Sequence, residues 1–270
     1  VEAARALTEL LLAASEWRRA AQASRALIAL LEQAGPAHRA ELTRRVSKLA
    51  DVERELGHIG LALQTYEQAL KLDPVEAGAL RGVGELLELA GRAGDAAEHY
   101  ERLLERHEKT LPAADRAGLR VRLTRLYRAL GEDGRAKAAV EKALAADPVH
   151  PVALRLAIEL SDSAAAWDPA ALYRQRLAGV STGDERYQLL LELGKLAQDR
   201  LAKPVLAITG FTAALELRPD SLEVLERLPL AFRAAGQAQN SAQALEQLVA
   251  HPKLPEEARQ TQALALAELL

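Results

Sequence analysis

The fold of this chain is decided by two neighbouring segments, LADVERELGHIGLALQTYEQALKLDP at residues 49–74 and VGELLELAGRAGDAAEHYERLLER at residues 83–106. When they are aligned at a spacing of 34 residues, small and large residues recur at the same positions. The matching pairs are Ala50 and Gly84, Gly57 and Gly91, Ala62 and Ala96, Tyr66 and Tyr100, and Ala69 and Leu103. Self-similarity at this period is typical of stacked helical hairpins. We therefore expect a repeat of two antiparallel helices joined by a tight turn.

The composition supports an all-α protein without disulfides. Hydrophobic residues make up 49% of the 270 residues and charged residues 27%, which is ordinary for a folded domain. Strong helix formers such as Ala and Leu dominate, and aromatic residues are only 3%. The chain has no cysteine, which excludes disulfides and thiolate metal sites. A net charge of -3 gives no basic excess of the kind that nucleic-acid binding needs.

On both sides of residues 49–106, apolar residues recur at helical spacing, and Gly and Pro residues mark where helices end. Together they predict about seven hairpins and a terminal helix. The predicted hairpins cover residues 1–34, 37–74, 75–106, 112–148, 149–179, 184–219 and 220–251, with a half-repeat at 255–270. We expect one solenoid over residues 1–270, in which each hairpin contacts only its neighbours. The spacing of the prolines further indicates that hairpins with a long first helix alternate with hairpins of standard length. The weakest joint is predicted at Ser161–Trp167, whose turn lacks glycine.

These positions resemble the tetratricopeptide repeat family over nearly the whole chain. Small residues recur where two helices approach closely, and large ones recur four residues later. The close-approach residues are Ala62, Ala96, Ala136 and Ala207, and the large ones are Tyr66, Tyr100 and Phe211. The resemblance implies a right-handed superhelix whose first helices line a concave groove. It also implies a non-enzymatic scaffold or adaptor that binds peptides or folded partners. Within the family, the chain resembles the bacterial repeat proteins.

Some members of that family grip a C-terminal carboxylate with paired Asn and Lys side chains. This chain contains a single asparagine, Asn240, in a predicted turn, so the resemblance does not carry that clamp over. The predicted groove instead looks basic at its centre. The arginines proposed to receive an acidic segment of a partner are Arg81, Arg122, Arg125, Arg128 and Arg155, because guanidinium groups form paired hydrogen bonds with carboxylates. The alternative is a solvated helix face whose arginines pair with neighbouring Glu and Asp.

Three other features have two interpretations each. Trp17 and Trp167 stand at the entry of a second helix, where core packing is favoured over a binding role. The apolar residues of the last helix either form a dimer contact or await a further helix; they are Leu264, Leu266, Leu269 and Leu270. Gly82 and Gly84 lie inside a predicted helix and do not form a phosphate-binding loop.

The sequence indicates no catalytic centre, no cofactor and no metal site. The six histidines are scattered, and no metal-binding His-Glu-x-x-His motif is present. We therefore expect a non-enzymatic scaffold that holds a protein partner and binds no nucleic acid. A self-assembling module, with a homo-oligomer, and an accessory region of a larger enzyme or membrane protein remain alternatives. The lack of methionine at position 1 indicates an excerpt or a processed form, and the compartment stays open with the cytoplasm favoured.

Overall fold

The computed structural model describes residues 1–269 and is all-α. Within that range the chain forms fifteen α-helices, a short 3-10 helix at Pro36–His38 and no strand. The helices belong to two compact units, which divide between Ala146 and Asp147. The predicted fold class, a helical-repeat solenoid, is confirmed.

Each unit is a series of helices in which successive helices pack against one another. Unit 1 contains α1 (Glu2–Ala13), α2 (Trp17–Gln33), α3 (Arg39–Glu55), α4 (Ile59–Leu72), α5 (Ala77–Leu89), α6 (Ala93–His107), α7 (Ala113–Ala129) and α8 (Asp133–Ala146). Unit 2 contains α9 (Pro151–Ser163), α10 (Trp167–Val180), α11 (Gly183–Asp199), α12 (Pro204–Leu217), α13 (Leu222–Ala234), α14 (Ala238–Val249) and α15 (Glu256–Ala267). Odd-numbered helices are the first helices of hairpins, and even-numbered helices are the second helices. Each of the seven predicted hairpin ranges overlaps two of these helices, although α6, α10 and α11 each extend one residue beyond their range. The division into hairpins and the arrangement of all of them as one solenoid stay predictions.

From α3 to α13 the first helices alternate in length, whereas α15 has 12 residues and follows the 13-residue α13. Those that begin at Arg39, Ala113 and Gly183 have 17 residues, whereas those that begin at Ala77, Pro151 and Leu222 have 13. The alternation inferred from the proline spacing is therefore present in the helices themselves. The repeating element of the chain is a pair of hairpins.

A left-handed residue ends the first helix in most hairpins. At α3, Gly57 has φ 79° and its N–H donates to the Arg54 carbonyl at 2.9 Å. The N–H of His58 then reaches back to the Glu53 carbonyl, also at 2.9 Å. This pair of bonds satisfies carbonyls that the helix end would leave without a partner, and glycine adopts the required φ without strain.

The hairpin of α9 and α10 makes the same turn without glycine. Ala165 has φ 51°, and the N–H groups of Ala165 and Ala166 donate to Asp162 and Ser161 at 3.0 and 2.8 Å. The Arg174 guanidinium on α10 also bonds both carboxylate oxygens of Asp162, at 3.0 and 2.6 Å. The predicted weak joint at Ser161–Trp167 does not coincide with the division between the units, which falls between Ala146 and Asp147. The strength of that joint stays a prediction.

The small and large positions of the repeat form the core. The four close-approach alanines and the three aromatic residues named above are all fully buried. Each aromatic ring lies against the backbone of a first helix at a glycine. A Cβ atom added to Gly82 would lie 2.2 Å from the Tyr66 ring, and one added to Gly194 would lie 2.4 Å from Phe211. Glycine is required there because any side chain would occupy the volume of the ring.

Replacing Gly84 tests this close approach. A Cβ at Gly84 would lie 2.5 Å from Cε1 of Tyr100, so we expect Gly84→Ala to lower the free energy of unfolding by about 1–3 kcal/mol. Gly118 is the matched control, since it lies within α7 and an added Cβ meets no atom within 4 Å. Gly118→Ala should raise stability by about 0.5–1 kcal/mol through helix propensity. Denaturant unfolding measures both, and equal effects would contradict the packing argument.

The turn at Ala165 gives a second stability prediction, of opposite sign. An L-residue in the left-handed region costs roughly 1–2 kcal/mol, and glycine avoids that cost while losing somewhat more chain entropy on folding. We expect Ala165→Gly to stabilise the protein by about 0.5–1 kcal/mol and the reverse change, Gly57→Ala, to destabilise it by about 1 kcal/mol. Thermal unfolding of the two variants provides the comparison. A loss of stability in Ala165→Gly would show that the turn is not strained.

Candidate interaction surface

In unit 1, charged side chains of α1, α3, α5 and α7 pair between neighbouring first helices, and we name the surface they form with the exposed arginines beside them the first-helix face. Its members are Arg5, Glu9, Glu41, Arg44, Arg45, Lys48, Asp51, Arg54, Arg81, Glu85, Glu88, Asp115, Arg122, Arg125 and Arg128. Neighbouring first helices are joined across this face by ion pairs. The face contains two concavities, which differ in their balance of charge.

The basic concavity lies between α1 and α3 and has a volume of about 480 Å³. Four cationic side chains and one carboxylate line it: Arg5, Arg44, Arg45, Lys48 and Glu41. Arg5 donates through Nε and Nη2 to the two oxygens of Glu41, both at 2.7 Å. Such a two-bond pair between guanidinium and carboxylate fixes the geometry of both groups. It joins α1 to α3.

Two cations of the basic concavity share a carboxylate on α1. Arg45 bonds Glu9, and Nζ of Lys48 donates to the same Glu9 oxygen at 3.2 Å. The hydrogen bond from Arg45 lowers the pKa of Glu9, and that from Arg5 lowers the pKa of Glu41. Arg44 is exposed and bonds only the Ala40 carbonyl, at 3.3 Å. The concavity therefore has more cations than the two carboxylates neutralise.

The mixed concavity lies between α3 and α5 and has a volume of about 410 Å³. Arg54 and Arg81 line it together with Asp51 and Glu85. Arg54 Nη1 donates to Glu85 Oε2 at 2.6 Å. The hydroxyl of the buried Tyr66 donates a hydrogen bond to the Asp51 carboxylate. Burial raises the pKa of Asp51 above its ordinary value. The opposite charges of this concavity balance one another.

Arg122 connects α7 to the same network. Its Nη1 donates to Glu88 Oε2 at 2.8 Å, and its Nη2 lies 3.6 Å from Glu85 Oε1. The hydroxyl of the buried Tyr100 donates to the same Glu88 oxygen at 3.0 Å. The aromatic residue that packs on Gly84 thus also orients the charges on the surface above it.

The arginines predicted from sequence differ in what they contact. Arg81 pairs with Asp115 at 3.0 Å, and Arg122 pairs with Glu88 as described. In unit 2, Arg155 donates to Glu185 Oε1 through Nε and Nη2 at 2.9 and 2.6 Å. These three have the neighbouring carboxylates that the solvated-face interpretation expects.

Arg125 differs from those three. It is exposed and makes no side-chain hydrogen bond or ion pair with any residue in 1–269. It follows Arg122 on α7 by three residues, which places the two side chains on adjacent positions of one helix face. Arg128 is exposed one turn further along. Binding of a partner by any of the five stays a proposal.

The basic concavity, with Arg44 and Lys48, was not predicted from the sequence. Its other cations are Arg5 and Arg45, and Arg5 lies in the first hairpin, where the repeat pattern is weak. The available signal was the run of cations at positions 44, 45 and 48 on one face of α3. Its partner helix could not be placed from the sequence.

The remaining candidates have structural roles. Trp17 packs against the buried cluster of α1, α2 and α3, and Trp167 is covered by Arg200, whose guanidinium carbon lies 5.4 Å from a ring centroid. His107 and His251 each bond a backbone carbonyl at the start of their own hairpin, at 2.6 and 3.2 Å. On α15, Leu264 is 70% exposed. Leu270, the last residue of that predicted apolar face, lies outside the described residues.

The residues from 1 to 269 form neither a metal-binding cluster nor a helix suited to a membrane. No group of three or more His, Asp or Glu side chains is arranged to hold a metal ion in that range. None of the described helices combines the length and the apolar character that crossing a bilayer requires.

Comparison with known proteins agrees with the helix pairs. The sequence profile of the tetratricopeptide repeat family matches residues 47–109 and residues 117–150. No curated protein matches the chain. A solved tetratricopeptide repeat protein from Parabacteroides merdae ATCC 43184 is similar with a TM-score of 0.55 and 15% identity, covering 98% of each chain. PilF of Pseudomonas aeruginosa has a TM-score of 0.53 and 21% identity, covering 83% of this chain and 96% of its own. At these identities the likeness shows the fold alone.

The ion pairs predict how stability depends on pH. A glutamate whose pKa is lowered by folding stabilises the protein above its ordinary pKa of 4.5, and this contribution is lost as the pH falls through the lowered value. We expect Glu41→Gln to be less stable than the unmodified protein at neutral pH. The difference should shrink as the pH falls below 4.5, since protonation then removes the same charge from the unmodified protein.

Denaturant unfolding over a pH series measures this difference, and Glu67→Gln is the control. Glu67 is exposed on α4 and makes no side-chain bond or ion pair within the described part of the chain. Its substitution should leave the pH dependence unchanged. A gap between Glu41→Gln and the unmodified protein that stays constant with pH would show that the Arg5 pair does not stabilise the fold.

Proposed function

The chain belongs to the tetratricopeptide repeat family, and we propose that the first-helix face of unit 1 binds an acidic segment of a partner protein. The family fold is in general a non-catalytic scaffold for protein interaction. The observation that carries the proposal of an acidic segment is the basic concavity, where four cations face two carboxylates. The partner segment would supply the missing negative charge there.

The ion pairs elsewhere on the face are weak enough to be exchanged. Arg81 and Asp115 are 40% and 42% exposed, and such pairs contribute roughly 0–1 kcal/mol in water. A partner carboxylate can therefore replace an internal one at little cost. Arg125 needs no exchange, because no carboxylate among residues 1–269 holds it. We infer that the segment contacts Arg44 and Lys48 in the basic concavity and Arg125 on α7, with Arg81, Arg122 and Arg128 between or beside them.

Arg155 belongs to unit 2 and is considered separately. Both of its bonds go to a single oxygen of Glu185, which leaves the second carboxylate oxygen to other donors. A contact of this arginine with the same partner is part of the proposal made from sequence. For that contact, a partner carboxylate would have to replace Glu185 at Arg155, as it would replace the internal carboxylates of unit 1.

The self-assembly alternative has one observation in its favour. Helix α15 has no buried residue, and Leu264 on it is largely exposed. A homo-oligomer would form without any added partner and would depend on apolar contact. Light scattering of the protein alone, over a range of concentrations, separates this alternative from the binding of an acidic segment.

Charge reversal at Arg125 tests the proposed function. The probe is a fluorescent Glu-rich peptide, compared with a peptide in which Gln replaces each Glu. Charge-assisted hydrogen bonds contribute about 1.5–3 kcal/mol, so we expect Arg125→Glu and Lys48→Glu each to weaken binding by roughly tenfold or more. Anisotropy titrations give the affinities, and added salt should weaken binding by the unmodified protein.

The matched control is Arg176→Glu, at an exposed arginine in the middle of α10 that has no internal partner among residues 1–269. Its affinity for the Glu-rich peptide should equal that of the unmodified protein. Equal binding of the Glu and Gln peptides, or equal losses at Arg125 and Arg176, would reject the first-helix face as the site.

A further inference from the structure

Unit 2 contains a concavity that the first-helix face does not include. It has a volume of about 770 Å³ and lies where the C-terminal ends of α12 and α14 meet the start of α13. We name it the apolar groove of unit 2. Its apolar wall is formed by Leu215, Pro219, Leu225, Ala250 and Pro252. The volume is in the range of pockets that receive a ligand or a bulky side chain.

In unit 1 an arginine spans from the second helix of a hairpin to the residue that precedes that hairpin. There Arg102 on α6 donates through Nη2 to the Pro74 carbonyl at 2.9 Å, beside the bond from His107 to the Val75 carbonyl. Unit 2 retains the histidine bond, from His251 to the Asp220 carbonyl. Gln247 takes the place of Arg102, at the same distance from the start of its helix, and makes no such bond. In unit 2 Gln247 therefore lines the groove, whereas the equivalent Arg102 of unit 1 is bonded to the Pro74 carbonyl.

The rim of the groove is acidic. Glu216 and Asp220 line it, both are exposed, and neither carboxylate has a hydrogen-bond or ion-pair partner in the described chain. Lys253 is the one cation of the lining. The C-terminal ends of α12 and α14 add partial negative charge, since helix carbonyls point outward there. Positively charged groups are favoured at this rim, next to an apolar floor.

We propose that the apolar groove of unit 2 docks a partner segment in which a bulky apolar side chain is flanked by lysine or arginine. The apolar side chain enters against Leu215, Leu225 and Pro252, and the flanking cations pair with Glu216 and Asp220. The charge preference is opposite to that of the first-helix face, and no residue is shared. The scaffold would thus hold two chemically different segments, one on each unit.

The experiment uses the full chain and three fluorescent peptides that differ at three central positions, Arg-Trp-Arg, Arg-Ala-Arg and Glu-Trp-Glu. We expect the first to bind at least tenfold more tightly than either of the others in anisotropy titrations. The double variant Glu216→Gln with Asp220→Asn keeps the side-chain shapes and should weaken Arg-Trp-Arg binding by about tenfold. Ala250→Trp, at an exposed position of the groove, should abolish binding by filling it.

The matched control is Glu246→Gln, an exposed carboxylate on α14 that is not part of the lining and has no internal partner among residues 1–269. It should bind like the unmodified protein, and unchanged melting temperatures should accompany all three variants. The proposal is overturned if Arg-Trp-Arg does not bind, if it binds no better than Arg-Ala-Arg, or if neither groove variant weakens it. Since the Glu-rich peptide reports on unit 1, its binding to the double variant shows separately whether the first-helix face is functional.

Discussion

The contact of a buried aromatic ring with a glycine of a first helix is the constraint on which the rest of the structure depends. Tyr66 packs on Gly82, Tyr100 on Gly84 and Phe211 on Gly194, and each position is too close for any side chain at the glycine. These rings set the distance between helices, and the fully buried alanines of the second helices allow the helices to approach that closely. Every surface of the two units is built on that spacing.

The same rings also organise the charged surface. The hydroxyls of Tyr66 and Tyr100 emerge on the first-helix face and donate to Asp51 and Glu88, which in turn stand beside Arg54 and Arg122. Burial of the rings therefore fixes where the carboxylates lie, and the carboxylates orient the arginines. In unit 2 the equivalent ring is Phe211, which has no hydroxyl, so no carboxylate is held in this way.

The sequence was sufficient for the fold because the packing positions recur at a fixed spacing and each depends on residue size alone. The surface was less predictable. The arginines of the first helices were identified, but whether they are paired depends on side chains of a neighbouring hairpin, as with Arg122 and Glu88 or Arg54 and Glu85. The basic concavity was missed because α1 carries a weak pattern. The apolar groove of unit 2 was also missed, because its lining comes from the ends of two helices and the start of a third, which only the fold brings together.

The alternation of 17-residue and 13-residue first helices has a consequence for how such a chain changes length. Loss or gain of one hairpin would place two long or two short first helices side by side and leave the extra turns of a long helix without their usual neighbour. Loss or gain of a pair restores the order, because a short helix again precedes a long one. Between α3 and α13, the order of long and short first helices is therefore kept only when hairpins are lost or gained in pairs.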